Sequence, residues 1–145
     1  MTAAGVAESV VAALGEAGDL HTVVLFGSAA RGALRDGGEM ASDVDFAVAG
    51  VEPLSIDRRL DLASRLSLAL HREVDLVDLR VAHGLILKEI LTTGRFLRKD
   101  LPDFVAEKII EMYDHELFLE PLLRAARRER IARCIAGGRQ SKESQ

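Results

Sequence analysis

The feature that constrains this chain most is a strand cut short by a glycine and answered, a short interval later, by a second strand that opens on two acids. Thr22-Val23-Val24-Leu25-Phe26 is an apolar run rich in β-branched and aromatic residues, stopped abruptly at Gly27. That is the pattern of a buried strand. Gly27-Ser28 then places backbone N–H groups, with no bulky side chain in the way, at the start of a short helix expected from Ser28 to about Ala33. The first N–H groups of a helix lack partners and carry partial positive charge, so a turn of this kind suits phosphate oxygens. The second strand, expected over about Val44 to Ala49, opens with Asp43 and Asp45. Side chains at i and i+2 of a strand share a face, so both carboxylates point the same way.

Two neighbouring carboxylates repel, and a fold retains them most readily with a cation between them. Oxygen-only donors suit Mg²⁺, which binds through one or two carboxylates together with substrate phosphates. The turn and the acid pair therefore ask for one ligand, a nucleoside triphosphate with magnesium. Taken separately, Gly27 is a strand-ending turn and Ser42-Asp43 a solvated loop, an account that covers each half but not their pairing.

Phosphoryl transfer of the two-metal kind needs a further acid beside the catalytic ion. The third strand, Glu73-Val-Asp-Leu-Val-Asp-Leu79, offers Glu73, Asp75 and Asp78. Alternation puts Glu73 and Asp75 on one face and Asp78 on the other. Asp78 comes where the strand gives way to a helix, which suits a capping role. Asp75 sits inside the apolar run, where a bare carboxylate is costly without a functional reason. Asp75 is therefore the candidate third acid.

Gly27-Ser28-Ala-Ala-Arg31-Gly32 followed by Ser42-Asp43-Val44-Asp45 resembles the signature of the polymerase-β-type nucleotidyltransferases, over roughly residues 1 to 100. The short length resembles the minimal nucleotidyltransferases, antitoxins paired with HEPN-domain toxins. Val74-Asp75-Leu76 is similar to the strand that carries the third acid of that family. Between the Gly-Ser and the first Asp, Ala29 to Ser42 makes fourteen residues, more than is common in the family; the surplus falls in the loop-forming run Arg35 to Met40. The resemblance implies a small mixed β-sheet flanked by helices. It also implies two Mg²⁺ ions on Asp43, Asp45 and Asp75, a triphosphate held by Gly27 and Ser28, and ATP as the donor of AMP to a hydroxyl, expected to be a Tyr, on the HEPN toxin. Arg31 is a candidate phosphate contact, although a solvent-facing helix residue is nearly as good a description.

Around this core the apolar spacing predicts a first helix over residues 2 to 17. A second, capped by Ser55, carries a stripe of Ile56, Leu60, Ala63, Leu66 and Leu70. A helix over about Val81 to Thr92 and a short edge strand at Arg95 to Arg98 follow. From Asp103 the pattern is helical to about Ala136, with Pro121 kinking or restarting it and Gly137-Gly138 stopping it. The expected organisation is α/β, with a catalytic core over 1–100, a C-terminal helical extension over 101–136 and a disordered tail over 137–145.

A net charge of −4 gives no global electrostatic case for binding DNA. No signal peptide or membrane-length apolar stretch is evident, so the expected compartment is the cytoplasm. One cysteine, Cys134, excludes an internal disulfide and reads as a small hydrophobe on a helix. His21, His71, His83 and His115 are scattered without metal-ligand spacing and read as surface or strand-end residues. No Lys-Ser/Thr follows Gly32, so the turn is not a Walker A loop. The segment Arg124 to Arg139 holds six Arg and one Glu, which fits a solvated helix face or a docking surface for an acidic protein or RNA. About forty residues after the core are too few for an acceptor-binding domain, so the acceptor is expected on another molecule. A small-molecule acceptor of the aminoglycoside type, and a non-catalytic antitoxin that acts by binding alone, are the alternatives.

Overall fold

The computed structural model describes residues 3–15, 18–31 and 43–143. Four strands, β1 (Leu20–Phe26), β2 (Val44–Gly50), β3 (Val74–Asp78) and β4 (Arg95–Lys99), form one mixed sheet in the order β3-β2-β1-β4. β2 lies antiparallel to β1 and parallel to β3, and β4 lies antiparallel on the far side of β1. Every residue of β1 is buried, which is why that run carries no charge. Successive side chains of a strand face opposite sides, and the core divides accordingly. Val23, Leu25, Phe46 and Val48 pack with Val6, Val10, Leu14, Leu62, Leu66 and Leu70 of α1 (Ala3–Leu14) and α2 (Ile56–Leu70). Val24, Phe26, Ala47 and Ala49 pack with Leu87, Ile90 and Phe104 of α3 (Gly84–Thr93) and α4 (Pro102–Asp114). The result is a three-layer α/β fold, as expected.

Ser55 does cap α2, its Oγ accepting from Arg58 N at 3.1 Å. The helix buries Leu62, Leu66 and Leu70, whereas Ile56 and Leu60 of the expected stripe are exposed. They overhang edge strand β3, where they line a shallow concavity with Val74 and Leu76. The first part of the helix thus extends past the sheet that buries the rest.

At the other end α4 runs without a break into a π-helical turn, His115–Leu119, and on into α5 (Glu120–Glu143). Pro121 neither stops nor restarts the run. The turn before it widens so that Glu120 N donates to His115 O, five residues back, which accommodates the missing proline N–H. Nor does the helix stop at Gly137-Gly138. A Cβ on either glycine would meet nothing within 4 Å, and neither takes the left-handed φ that ends helices. The penalty is then propensity alone, about 1 kcal/mol each. Residues 139–143, expected to be disordered, continue the helix. No helix among the described residues is long and apolar enough to cross a membrane.

Candidate active site

The acids gather at one end of the sheet because of strand register. Asp45 and Asp75 are paired partners in the parallel β2–β3 ladder, and Phe26, the last residue of β1, stands opposite Asp45 on the other side. Val44, Phe46, Val74 and Leu76 belong to the α1–α2 face, so alternation directs Asp45 and Asp75 to the α3 face. Asp43, exposed, immediately precedes β2. Asp75 is also exposed and open to an incoming group.

Gly27 closes the arrangement. Its φ of +72° is a conformation that L side chains rarely adopt, and a Cβ there would collide with Asp45 Oδ2. The chain leaves β1 directly over the central carboxylate. Beyond it the expected helix from Ser28 is instead a turn over residues 27–31, held by Arg31 N donating to Ser28 O at 3.2 Å. The left-handed glycine sets the chain direction there, and the rest of the segment to Ser42, including Gly32 and the Arg35 to Met40 loop, lies outside the described residues. Arg31 folds back on the turn: its Nε donates to Gly27 O at 3.4 Å.

Arg31 Nη2 also lies 3.8 Å from Glu89 Oε1 of α3. The sequence reading missed Glu89, which looks like an ordinary charge on an amphipathic helix. Burial pushes the Asp45 carboxyl above its ordinary value, and the charges of Asp75, Glu89 and Asp43 push it further the same way. Four carboxylates therefore share one field, and Glu89 is the one that a folded α3 adds. Knowing that α3 covers the acid-bearing face, at a spacing that buries Leu87 and Ile90, was the missing signal.

Asp78 is structural. Its Oδ2 accepts from Leu54 N at 2.8 Å and its Oδ1 from Arg80 N at 3.0 Å, so it ties two loops together rather than capping a helix as expected; His83 stands at the N-cap of α3. His21 is buried at the opposite end of the sheet rather than on the surface; its Nε2 donates to Gly50 O at 2.9 Å, and its Nδ1 faces Thr22 Oγ1 at 2.7 Å. Among the described residues no group of three or more His, Cys, Asp or Glu is closed to metal-ligating distance. The donor chemistry nonetheless fits a hard divalent cation. The donors are carboxylate oxygens alone, and Asp45, raised by burial first and then by the charges of Asp75, Glu89 and Asp43, lies among them.

Comparison with known proteins agrees with this geometry. Residues 8–100 match the family model described as polymerase beta, nucleotidyltransferase. The chain belongs to the polymerase beta nucleotidyltransferase family. It is 37% identical over 98 residues to protein adenylyltransferase MntA of Shewanella oneidensis, covering 66% of this chain and 68% of that one. A crystal structure of a toxin–antitoxin with AMP-PNP superposes at a TM-score of 0.64 and 28% identity, over 89% of this chain and 98% of its own. A crystal structure of the toxin–antitoxin MntA–HepT superposes at 0.59 and 29% identity, over 90% and 97% of the two chains.

Proposed function

We propose that this chain transfers AMP from ATP to a hydroxyl, expected to be a Tyr, of a partner HEPN-domain toxin, and so acts as the antitoxin of the pair. The observation that carries the reading is the in-register pair Asp45 and Asp75 with Gly27 folded over Asp45. The likeness to an adenylyltransferase and to a toxin–antitoxin holding an ATP analogue supports the choice of donor and partner.

Asp43, Asp45 and Asp75 are the residues to hold magnesium, two ions in this reading. When bound, the ions supply positive charge against the triphosphate and the acceptor oxygen. The Gly27-Ser28 turn receives the β- and γ-phosphates through its backbone and the Ser28 hydroxyl. Arg31, 62% exposed at its side chain and tethered loosely to Glu89, is within the turn's reach to meet the same phosphates. Asp75, exposed beside Asp45, accepts the proton of the acceptor hydroxyl. The acceptor oxygen forms a bond to the α-phosphorus, the bond from that phosphorus to the α–β bridging oxygen breaks, and pyrophosphate leaves with the electron pair. A phosphodiester on a toxin tyrosine adds bulk and negative charge where an RNA-cutting site needs neither.

The test is to incubate the chain with Mg²⁺, ATP and the HEPN-domain protein encoded beside it, and to read intact masses. An AMP-sized increment on the partner, absent with Asp45→Asn and with Asp75→Asn, is the expected result. Tight binding with no increment returns the reading to neutralisation by binding alone.

A further inference from the structure

The helical extension is larger than the core needs. Every residue from Pro121 to Gly138 is exposed, so α5 buries nothing against its own chain beyond the π-turn. A helix in that position needs either a uniformly polar surface or a partner, and its surface is not polar. Leu117, Phe118 and Leu122 are each more than 60% exposed, with Ile131 and Ile135 at 59% and 55% further along. Apolar side chains so placed, contiguous and exposed, mark interaction sites.

Phe118 and Leu122 line a formed groove of about 530 Å³ between the start of α3 and the helix that follows α4. Leu87 and Gly84 form one wall, and Phe118, Leu119, Leu122 and Leu123 the other. Beyond the groove α5 carries Arg127, Arg128 and Arg130 with no acidic partner among the described residues, whereas Arg124 and Arg133 are neutralised by Glu120 and Glu129 of the same helix. These three unpaired cations stand on a chain that is otherwise acidic overall. The α4 rim of the groove bears Glu111 and Asp114 instead, with Glu111 bonded to Lys108 at 3.0 Å. The surface therefore has a direction: an apolar floor, an acidic rim on the α4 side and a cluster of arginines on the following turn of α5.

We propose that this groove and the adjoining α5 arginines seat the partner protein that carries the acceptor hydroxyl, through an apolar ridge on the partner flanked by carboxylates that face α5. The identity of the occupant rests on the proposed function, and two observations favour it, with a second copy of this chain left as an outcome of the test. RNA has no use for an apolar floor. The likeness to toxin–antitoxin structures covers 89–90% of this chain, more than residues 1–100 supply, so it takes in part of the extension. The groove also adjoins the chemistry. Gly84 and Glu89 are five residues apart on α3, about 7.5 Å along the axis at 1.5 Å per residue. One side of α3 faces the groove and another faces the acids, so a protein seated in the groove has its neighbouring surface beside Asp45.

The experiment measures partner binding apart from transfer. The HEPN-domain protein encoded beside this chain is titrated onto the wild type, Asp45→Asn, Phe118→Ser/Leu122→Ser, and Arg127→Glu/Arg128→Glu/Arg130→Glu, with ATP binding and solution mass recorded for each. The exposed double truncation should weaken partner binding on the order of 100-fold, as loss of two interface anchors does. The charge reversal should slow association about tenfold, more at low salt. Both should leave ATP binding and monomer mass unchanged, and Asp45→Asn should bind the partner as the wild type does. Partner affinity within threefold of wild type in both surface variants overturns the proposal. So does a wild-type dimer that these variants dissolve, or RNA binding that the charge reversal abolishes while partner binding stays. Partner binding lost in the surface variants, but with no AMP transfer by the wild type, would retire the proposed activity and keep the docking face.

Discussion

Gly27→Ala separates the two roles of that residue. The first is conformational: φ of +72° costs an alanine about 1–2 kcal/mol, partly offset by the stiffer unfolded chain. At about 2–4 °C per kcal/mol for a chain of this size, the melting temperature should fall by roughly 2–8 °C. The second role is steric. The new Cβ would sit on Asp45 Oδ2, the tip of a short side chain, so the collision is relieved by turning the carboxylate away rather than by moving the sheet. The damage should therefore appear in the chemistry. Losing one metal-holding carboxylate removes several kcal/mol of transition-state charge stabilisation, on the order of 100-fold or more in transfer rate. The assay is AMP transfer to the partner beside thermal unfolding, for Gly27→Ala, Asp45→Asn and the double variant. If both single changes act through one carboxylate, the double variant should be no slower than the slower single. Multiplicative losses, or Gly27→Ala losing stability while transferring at more than half the wild-type rate, would refute the reasoning.

The Asp45 carboxyl is raised in the folded state, by burial first and by Asp75, Glu89 and Asp43 after it. A raised acid contributes stability at pH below its unfolded value and loses it as pH rises through the folded one. Without divalent cations Asp45→Asn should therefore gain on the wild type as pH rises past the ordinary carboxylate value of about 4; parallel melting curves on either side of that value would contradict the electrostatic account. Asp78 and Asp75 should behave in opposite ways. Asp78→Ala strands the N–H groups of Leu54 and Arg80 and should cost about 1–3 kcal/mol, with transfer by the folded protein retained. Asp75→Asn should melt like the wild type and transfer nothing, and a swap of these outcomes would exchange their roles. Glu89→Gln removes one of the charges acting on Asp45 and the partner of Arg31. It should raise the magnesium concentration needed for half-maximal transfer, measured by titration at saturating ATP; an unchanged midpoint would leave Glu89 a surface residue.

What the sequence made legible follows from where the information is local. The buried strand before Gly27, the alternation of Asp43 and Asp45, and the choice of Asp75 over Asp78 need nothing beyond period-two geometry and the cost of burying a carboxylate. The β2–β3 register then sets Asp45 beside Asp75. Glu89 was illegible because its neighbours come from sheet packing: only when α3 packs on the sheet face that Asp45 shares does that charge act on Asp45. The α2 stripe failed for a similar reason, since Ile56 and Leu60 have helical spacing but sit over the open edge of the sheet at β3 and stay exposed. At Pro121 and Gly137-Gly138 local rules forecast breaks, and a solvent-exposed helix absorbed both. The proline is taken up by a wider turn and the glycines at a modest propensity penalty.

The central claim is that Gly27, Asp43, Asp45 and Asp75 serve one magnesium–triphosphate site. Its most direct measurement is calorimetric titration of AMP-PNP into the purified chain, with and without Mg²⁺, for the wild type, Asp45→Asn and Asp78→Ala. Magnesium-dependent binding by the wild type and Asp78→Ala, lost in Asp45→Asn, is the result expected. Nucleotide binding that ignores magnesium, or that survives Asp45→Asn unchanged, would contradict it.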